Sequence, residues 1–116
     1  MQLFLLKSKI QKATVTETDL DYQGSLTLDR TLMDAANLIA GERVQVLNLN
    51  NGSRIETYII EAKKGSGTVC LNGPAARSGL VGDKIHILSY AIYSEDEVDK
   101  YQPKVVSVDD NNRVKS

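Results

Sequence analysis

The chain has 116 residues, with 14 basic and 15 acidic side chains, a formal charge of -1 and one cysteine. That length, with 41% hydrophobic and 25% charged residues, predicts one domain spanning residues 1–116 around one modest core. The near-zero charge excludes a protein that tracks a phosphate backbone, and a lone Cys70 excludes an internal disulfide and zinc sites built on several cysteines.

No apolar run is long enough to cross a bilayer. The start, Met1-Gln2-Leu3-Phe4-Leu5-Leu6, has no basic stretch before its apolar run and no small-residue cleavage site. A cytoplasmic protein without nucleic-acid or membrane partners is expected.

Residues 3 to 6 are apolar, and residues 10 to 16 place Ile10, Ala13 and Val15 among polar neighbours. The β-branched content predicts a strand, though the alternation is imperfect. Tyr22-Gln23-Gly24-Ser25 reads as a turn, and Ser25-Leu26-Thr27-Leu28 as a short alternating strand. A helix follows: Asp29 can cap it, Leu32, Ala35, Ala36 and Ile39 share one face, and Gly41 is placed to end it.

Val44, Val46, Leu47 and Leu49 form the next strand. Asn50-Asn51-Gly52 then signals a tight hairpin, because Asn-Gly tolerates positive φ angles, and a return strand runs from Arg54 to Ala62. Gly65-Ser66-Gly67 turns the chain into Thr68-Val69-Cys70-Leu71, and Asn72-Gly73-Pro74-Ala75-Ala76 breaks that strand before a short helical turn. Gly82-Asp83 leads into a long strand over 84–93. Ser94 and Glu95-Asp96-Glu97 open a short helix whose acidic start complements the helix dipole. Val105, Val106 and Val108 suggest a last strand, and the polar tail from Asp109 to Ser116 is expected to fray. Many short strands, few helices and regular glycine turns predict a mainly β fold closed as a small barrel.

Familiar catalytic constellations are nearly absent. His86 sits mid-strand and reads as a partly exposed strand histidine rather than a triad member. Cys70 lies in an apolar strand and reads as a small buried hydrophobe rather than a nucleophile. No phosphate-binding glycine loop and no metal-ligand spacing occur.

Tyr22-Gln23-Gly24-Ser25 carries a chemical alternative to the plain turn: self-cleavage. Gly24 leaves its carbonyl unobstructed and permits a bent backbone. The Ser25 hydroxyl could attack that carbonyl and convert the amide to an ester, a step that needs a distorted bond and donors for the oxyanion. β-Elimination would free the Gly24 carboxylate and leave dehydroalanine at position 25. Its hydrolysis would give a pyruvoyl group at the new N-terminus.

The chain resembles the pyruvoyl-dependent aspartate 1-decarboxylase family over nearly its whole length. The resemblance is carried by Lys9-Ile10, Tyr22-x-Gly24-Ser25, Leu32-x-Asp34-Ala35-Ala36, Asn51-Gly52-x-Arg54-x-x-Thr57-Tyr58, Asn72-Gly73-x-Ala75-Ala76 and Val81-Gly82-Asp83. No single piece is specific; their joint order and spacing are.

The resemblance implies a six-stranded double-psi β-barrel with a few short helices, assembled as a homotetramer with active sites between neighbouring subunits. It implies decarboxylation of L-aspartate to β-alanine for pantothenate and coenzyme A synthesis. It also implies cleavage between Gly24 and Ser25 into chains 1–24 and 25–116, and a covalent pyruvoyl cofactor derived from Ser25, with no metal and no pyridoxal phosphate. A Schiff base between the substrate amine and that ketone would delocalise the electrons left by carbon dioxide.

Roles follow by position. Arg54 is the candidate for a two-pronged hold on a substrate carboxylate, and Lys9 is a second cationic anchor. Tyr58 is the candidate proton donor, since a phenol with pKa of about 10 stays protonated at neutral pH. Thr57 is expected to hold the Gly24 carbonyl during cleavage. Neighbouring strand residues face opposite sides, so for Thr57 and Tyr58 to serve one site requires a bulge or a subunit boundary. Asn72, Gly73, Pro74 and Ala75 form the loop whose backbone meets substrate, and Tyr22 packs near the scissile bond.

Two positions depart from the family pattern. Gln11 stands where many members have histidine. Pro74 replaces the usual alanine and removes one backbone N–H from the substrate loop. The competing readings are a non-catalytic barrel used as a binding or assembly module, and an inert precursor unable to cleave.

Overall fold

A computed structural model describes residues 1–115. The fold is mainly β, as expected. The strands are β1 (Gln2–Thr14), β2 (Glu17–Asp19), β3 (Ser25–Asp29), β4 (Arg43–Asn48), β5 (Arg54–Ala62), β6 (Val69–Asn72), β7 (Lys84–Ser94) and β8 (Lys104–Ser107). Two short helices, α1 (Arg30–Ala35) and α2 (Glu95–Val98), and a 3-10 helix over Gly73–Ser78 complete it.

The hydrogen-bonded order is β2-β6-β3-β5-β4-β7-β1-β8. Six strands, β6 through β1, run consecutively in the middle, and the short β2 and β8 flank them. The ladder order itself is open, yet the chain brings its flanks together. β1 pairs antiparallel with β7. Its continuation then crosses the core: the Val15 N–H donates to Asp83 O at 2.9 Å and the Thr16 N–H to Val69 O at 2.8 Å. β2 then pairs in parallel with β6. One extended segment thus joins both flanks, and the sheet curls around a core that includes Ile10, Val15, Leu26, Leu28, Leu32, Ile59, Leu71, Ile85 and Ile87.

β2 carries no sequence signal, because Glu17-Thr18-Asp19 is polar and exposed. Its extension comes from backbone pairing with β6 alone. The hairpin joining β4 to β5 forms as expected, with Gly52 at φ 76° and its N–H donating to Asn48 O at 2.9 Å.

The α1 helix is shorter than its apolar spacing predicts. It ends at Ala35, because Asn37 takes a left-handed conformation at φ 57°. The Leu38 N–H then donates to Met33 O at 2.8 Å and the Asn37 N–H to Asp34 O at 3.4 Å, the paired bonds of a Schellman stop. Leu38 turns into the core, and Ile39, expected on the buried face, is 70% exposed. Asp29 caps the helix start through the Thr31 N–H at 2.8 Å and also accepts from Gly65 and Gly67 N–H at 2.9 and 2.8 Å. Burial pushes its carboxyl upward, and these backbone donors outweigh that and hold it below the usual carboxylate range.

The tail does not fray over the described residues. Asn112 is buried. It accepts from the Thr14 N–H at 2.7 Å and donates to Thr14 O and Gly67 O, both at 2.9 Å. Arg113 donates to Gly65 O at 2.8 Å. One side chain thereby stitches the tail to the end of β1 and to the turn before β6. Ser116 lies outside the described residues.

Candidate functional site

Ser25 opens β3 directly opposite Asn72, the last residue of β6. Both are buried. The Ser25 hydroxyl donates back along the chain to Gln23 O at 3.1 Å and accepts from the Asn72 side-chain amide at 2.9 Å. That amide also donates to Thr27 Oγ1 at 2.7 Å. The nucleophile candidate is therefore held on both sides beside the Gly24–Ser25 bond.

Gly73 presses on the same segment. Its φ is +60°, and a Cβ there would stand 2.5 Å from Tyr22 O and 2.7 Å from Gly24 N. Only a residue without a side chain fits. A Cβ on Gly24 would meet Pro74 Cδ at 3.4 Å. The backbone of Tyr22 and Gly24 thus lies against Gly73, with the Pro74 ring beside Gly24. A cavity of about 410 Å³ opens beside them, lined by Gly24, Ile55, Glu56, Thr57, Tyr58, Pro74, Ala75 and Ser78. The side chain of Tyr22 is half exposed.

β5 runs in unbroken register against β4, from Tyr58 opposite Arg43 to Arg54 opposite Leu47. No bulge separates Thr57 from Tyr58, so that explanation of their shared role falls away. Both border the cavity, Thr57 half-buried and Tyr58 exposed at the rim.

Arg54 and Lys9 are not among the residues lining the Gly24 cavity. Direct partners in an antiparallel ladder share a face. Arg54, Leu47 and His86 form one such row across β5, β4 and β7. Glu56, Gln45, Leu88 and Lys9 form the adjoining row on the same face. Arg54 donates across the rows to Gln45 Oε1 at 2.6 Å. The alternation of β5 puts Tyr58 on this face with Arg54, and Thr57 on the other. The β3–β5 register sets Leu26 opposite Ile59 and the β3–β6 register sets Ser25 opposite Asn72, so Ser25 and Asn72 share the face of Arg54 and Tyr58, while Thr57 lies on the face of Ile59 and Val44.

His86 is a half-exposed strand residue, as expected. It faces the register shift between Ile10 and Ala13 in β1, where Lys12 adopts φ 61°. The Lys12 N–H, left without a ladder partner, donates to His86 Nδ1 at 3.1 Å. Burial, together with the charges of Lys9 and Lys12, pushes the imidazole pKa down. Cys70 is buried and donates to Asn72 Oδ1 at 3.1 Å. Burial, with Glu17 and Asp19 nearby, pushes its thiol up, which suits an inert side chain.

The hydrogen bond from the Asn72 amide to Ser25 and the cavity contributions of Ile55 and Ser78 were not legible in the sequence. An asparagine ending an apolar strand was the available signal, since asparagine is depleted in strands. Among the described residues, no group of three His, Cys, Asp or Glu side chains could hold a metal ion, and no helix is long and apolar enough to cross a membrane.

A family profile described as aspartate decarboxylase matches residues 1–115. The chain is 55% identical over 113 residues to a protein named aspartate 1-decarboxylase from Thermoanaerobacter pseudethanolicus, covering 97% of each. It is 53% identical over 114 residues to one of the same name from Caldicellulosiruptor saccharolyticus, covering 98% of this chain and 89% of that protein. With the Clostridium beijerinckii protein of that name it shares 51% over 115 residues, covering 99% and 93%. The chain belongs to the aspartate decarboxylase family.

Proposed function

We propose that the chain is a one-domain precursor that cleaves itself between Gly24 and Ser25, converts Ser25 to a pyruvoyl group, and then releases carbon dioxide from L-aspartate to give β-alanine for pantothenate synthesis. The observation that carries this reading is the environment of Ser25. Its hydroxyl is fully buried, fixed between Gln23 O and the Asn72 amide, and joined to a glycine that Gly73 and Pro74 crowd. A serine needed only as a turn would be better served at the surface.

In this reading Thr57, bordering the cavity beside Gly24, holds the Gly24 carbonyl during cleavage, and Tyr22 packs beside the scissile bond. The pyruvoyl group supplies a ketone that takes up the substrate amine and draws off the electron pair left by carbon dioxide. The other steps belong to ordinary side chains and backbone. Arg54 and Lys9 hold carboxylate charge. Gly73 and Ala75 offer backbone N–H groups, while Pro74 has none. Tyr58 returns a proton to the α-carbon. Lys9, Arg54 and Tyr58 share one face of the sheet; Tyr58 borders the Gly24 cavity, and Arg54 and Lys9 stand outside it. A centre completed by a neighbouring chain, in a homotetramer, brings such cations to the cavity.

Mass spectrometry of purified protein after denaturing electrophoresis tests the reading. Fragments of residues 1–24 and 25–116, the larger with a blocked, carbonyl-bearing N-terminus, are expected. An uncut chain that still decarboxylates aspartate would overturn it. An uncut chain without activity would mark an inert precursor or a binding module.

A further inference from the structure

Arg54 and His86 border one recess of about 350 Å³, together with Leu47, Asn48 and Ser53. The two side chains are not there by accident of packing. Leu47 is the direct ladder partner of both, so Arg54 and His86 project from the same face on either side of it. Lys9 stands in the next row of that face.

The hydrogen bond at the β1 register shift fixes what His86 can offer. Its Nδ1 accepts the Lys12 N–H, so a neutral ring carries its proton on Nε2 and is a donor in one defined tautomer. Burial and the flanking lysine charges keep the ring neutral. A neutral donor suits a face that already carries two cations. It adds directionality without a third like charge.

Building on the proposed function, we propose that His86 is a substrate-positioning residue, whose Nε2–H shares with Arg54 the side-chain carboxylate of the dicarboxylic substrate. The chemistry favours that carboxylate. The α-carboxylate must shed its charge to leave as carbon dioxide, so tight ion pairing there would oppose the reaction. The side-chain carboxylate keeps its charge throughout and gains from a guanidinium fork plus a third donor.

The test uses the mature protein with His86→Leu and His86→Gln variants. Succinate serves as a probe, since it has both carboxylates and no amine. His86→Leu is expected to raise the KM for aspartate and the dissociation constant of succinate by about tenfold, with kcat within about twofold; a hydrogen bond to a charged group is of that order. His86→Gln, which restores an N–H donor, recovers most of the loss. In unsubstituted protein, succinate is expected to shift the His86 Nε2 resonance. Unchanged succinate affinity in His86→Leu, equal losses in both variants, or an unmoved Nε2 resonance would overturn the assignment. Succinate binding is read by calorimetry without turnover. A chain that binds succinate through His86 yet never makes the ketone would sink the catalytic reading and leave this one standing.

Discussion

Asn72 and Ser25 are direct partners in the β3–β6 ladder, and the Asn72 amide donates to the Ser25 hydroxyl at 2.9 Å. The same amide serves Thr27, so the hydroxyl belongs to a small polar network inside an apolar wall. Ser25→Ala removes only that hydroxyl. The variant is expected to fold, to lose roughly 1 kcal/mol of stability from the missing hydrogen bonds, and to stay uncut and inactive. Intact-mass measurement with thermal denaturation checks both parts. Retained decarboxylation would refute the origin of the cofactor.

Gly73 and Gly52 separate two costs of a side chain. Both have positive φ, but a Cβ on Gly52 meets nothing within 4 Å, whereas one on Gly73 collides with Tyr22 and Gly24 backbone. Gly52→Ala should cost about 1–2 kcal/mol from conformation alone. Gly73→Ala should cost more and also slow cleavage, because the clash falls on the scissile segment. Denaturant midpoints and a cleavage time course, measured in parallel, decide it.

Tyr58→Phe leaves the ring at the cavity rim and removes the acidic proton. Cleavage is expected to proceed normally, while kcat falls by about 10²–10⁴, the usual worth of general acid catalysis. A normal steady-state rate would take Tyr58 out of its proposed role.

The pH dependence follows from His86. Its folded pKa lies below the ordinary value of 6.5, so the unfolded chain binds the proton more readily. The associated stability is fully present above 6.5 and is lost as pH falls through the lower, folded pKa. Protonation also ends the Lys12 N–H to Nδ1 bond. Faster hydrogen exchange at Lys12 should therefore accompany a first phase, the His86 titration; the carboxylates of Asp29 and Glu42, also held below their ordinary values, make a separate one. Burial alone would push Glu42 up, but hydrogen bonds from Lys7 and Ser89 outweigh it. His86→Gln should flatten the first phase only.

Local chemistry was legible in the sequence wherever a turn or a cap sets the structure. The β5 strand from Arg54 to Ala62, the Asn-Gly hairpin and the acidic start of α2 all follow from such signals. Asn37 shows the limit. Its left-handed stop competes with an apolar spacing that reaches Ile39, and the backbone bonds of the stop prevail. Asn112 is a tertiary case, since nothing local announces that its amide joins Thr14 to Gly67. The candidate site divides in the same manner. Ser25 and Gly73 stand out as residues, but the placement of Arg54 and Lys9 away from the Ser25 cavity depends on how β5 pairs across a curled sheet.

The segment from Tyr22 to Gly24 rests on Gly73 and the Pro74 ring, part of the loop proposed to receive substrate. In a precursor that segment occupies the seat as a tethered, built-in competitor. On the proposed reading, scission does double duty: it creates the electrophile and frees the stub ending at Gly24 to swing clear. Admission of aspartate would thereby be coupled to maturation.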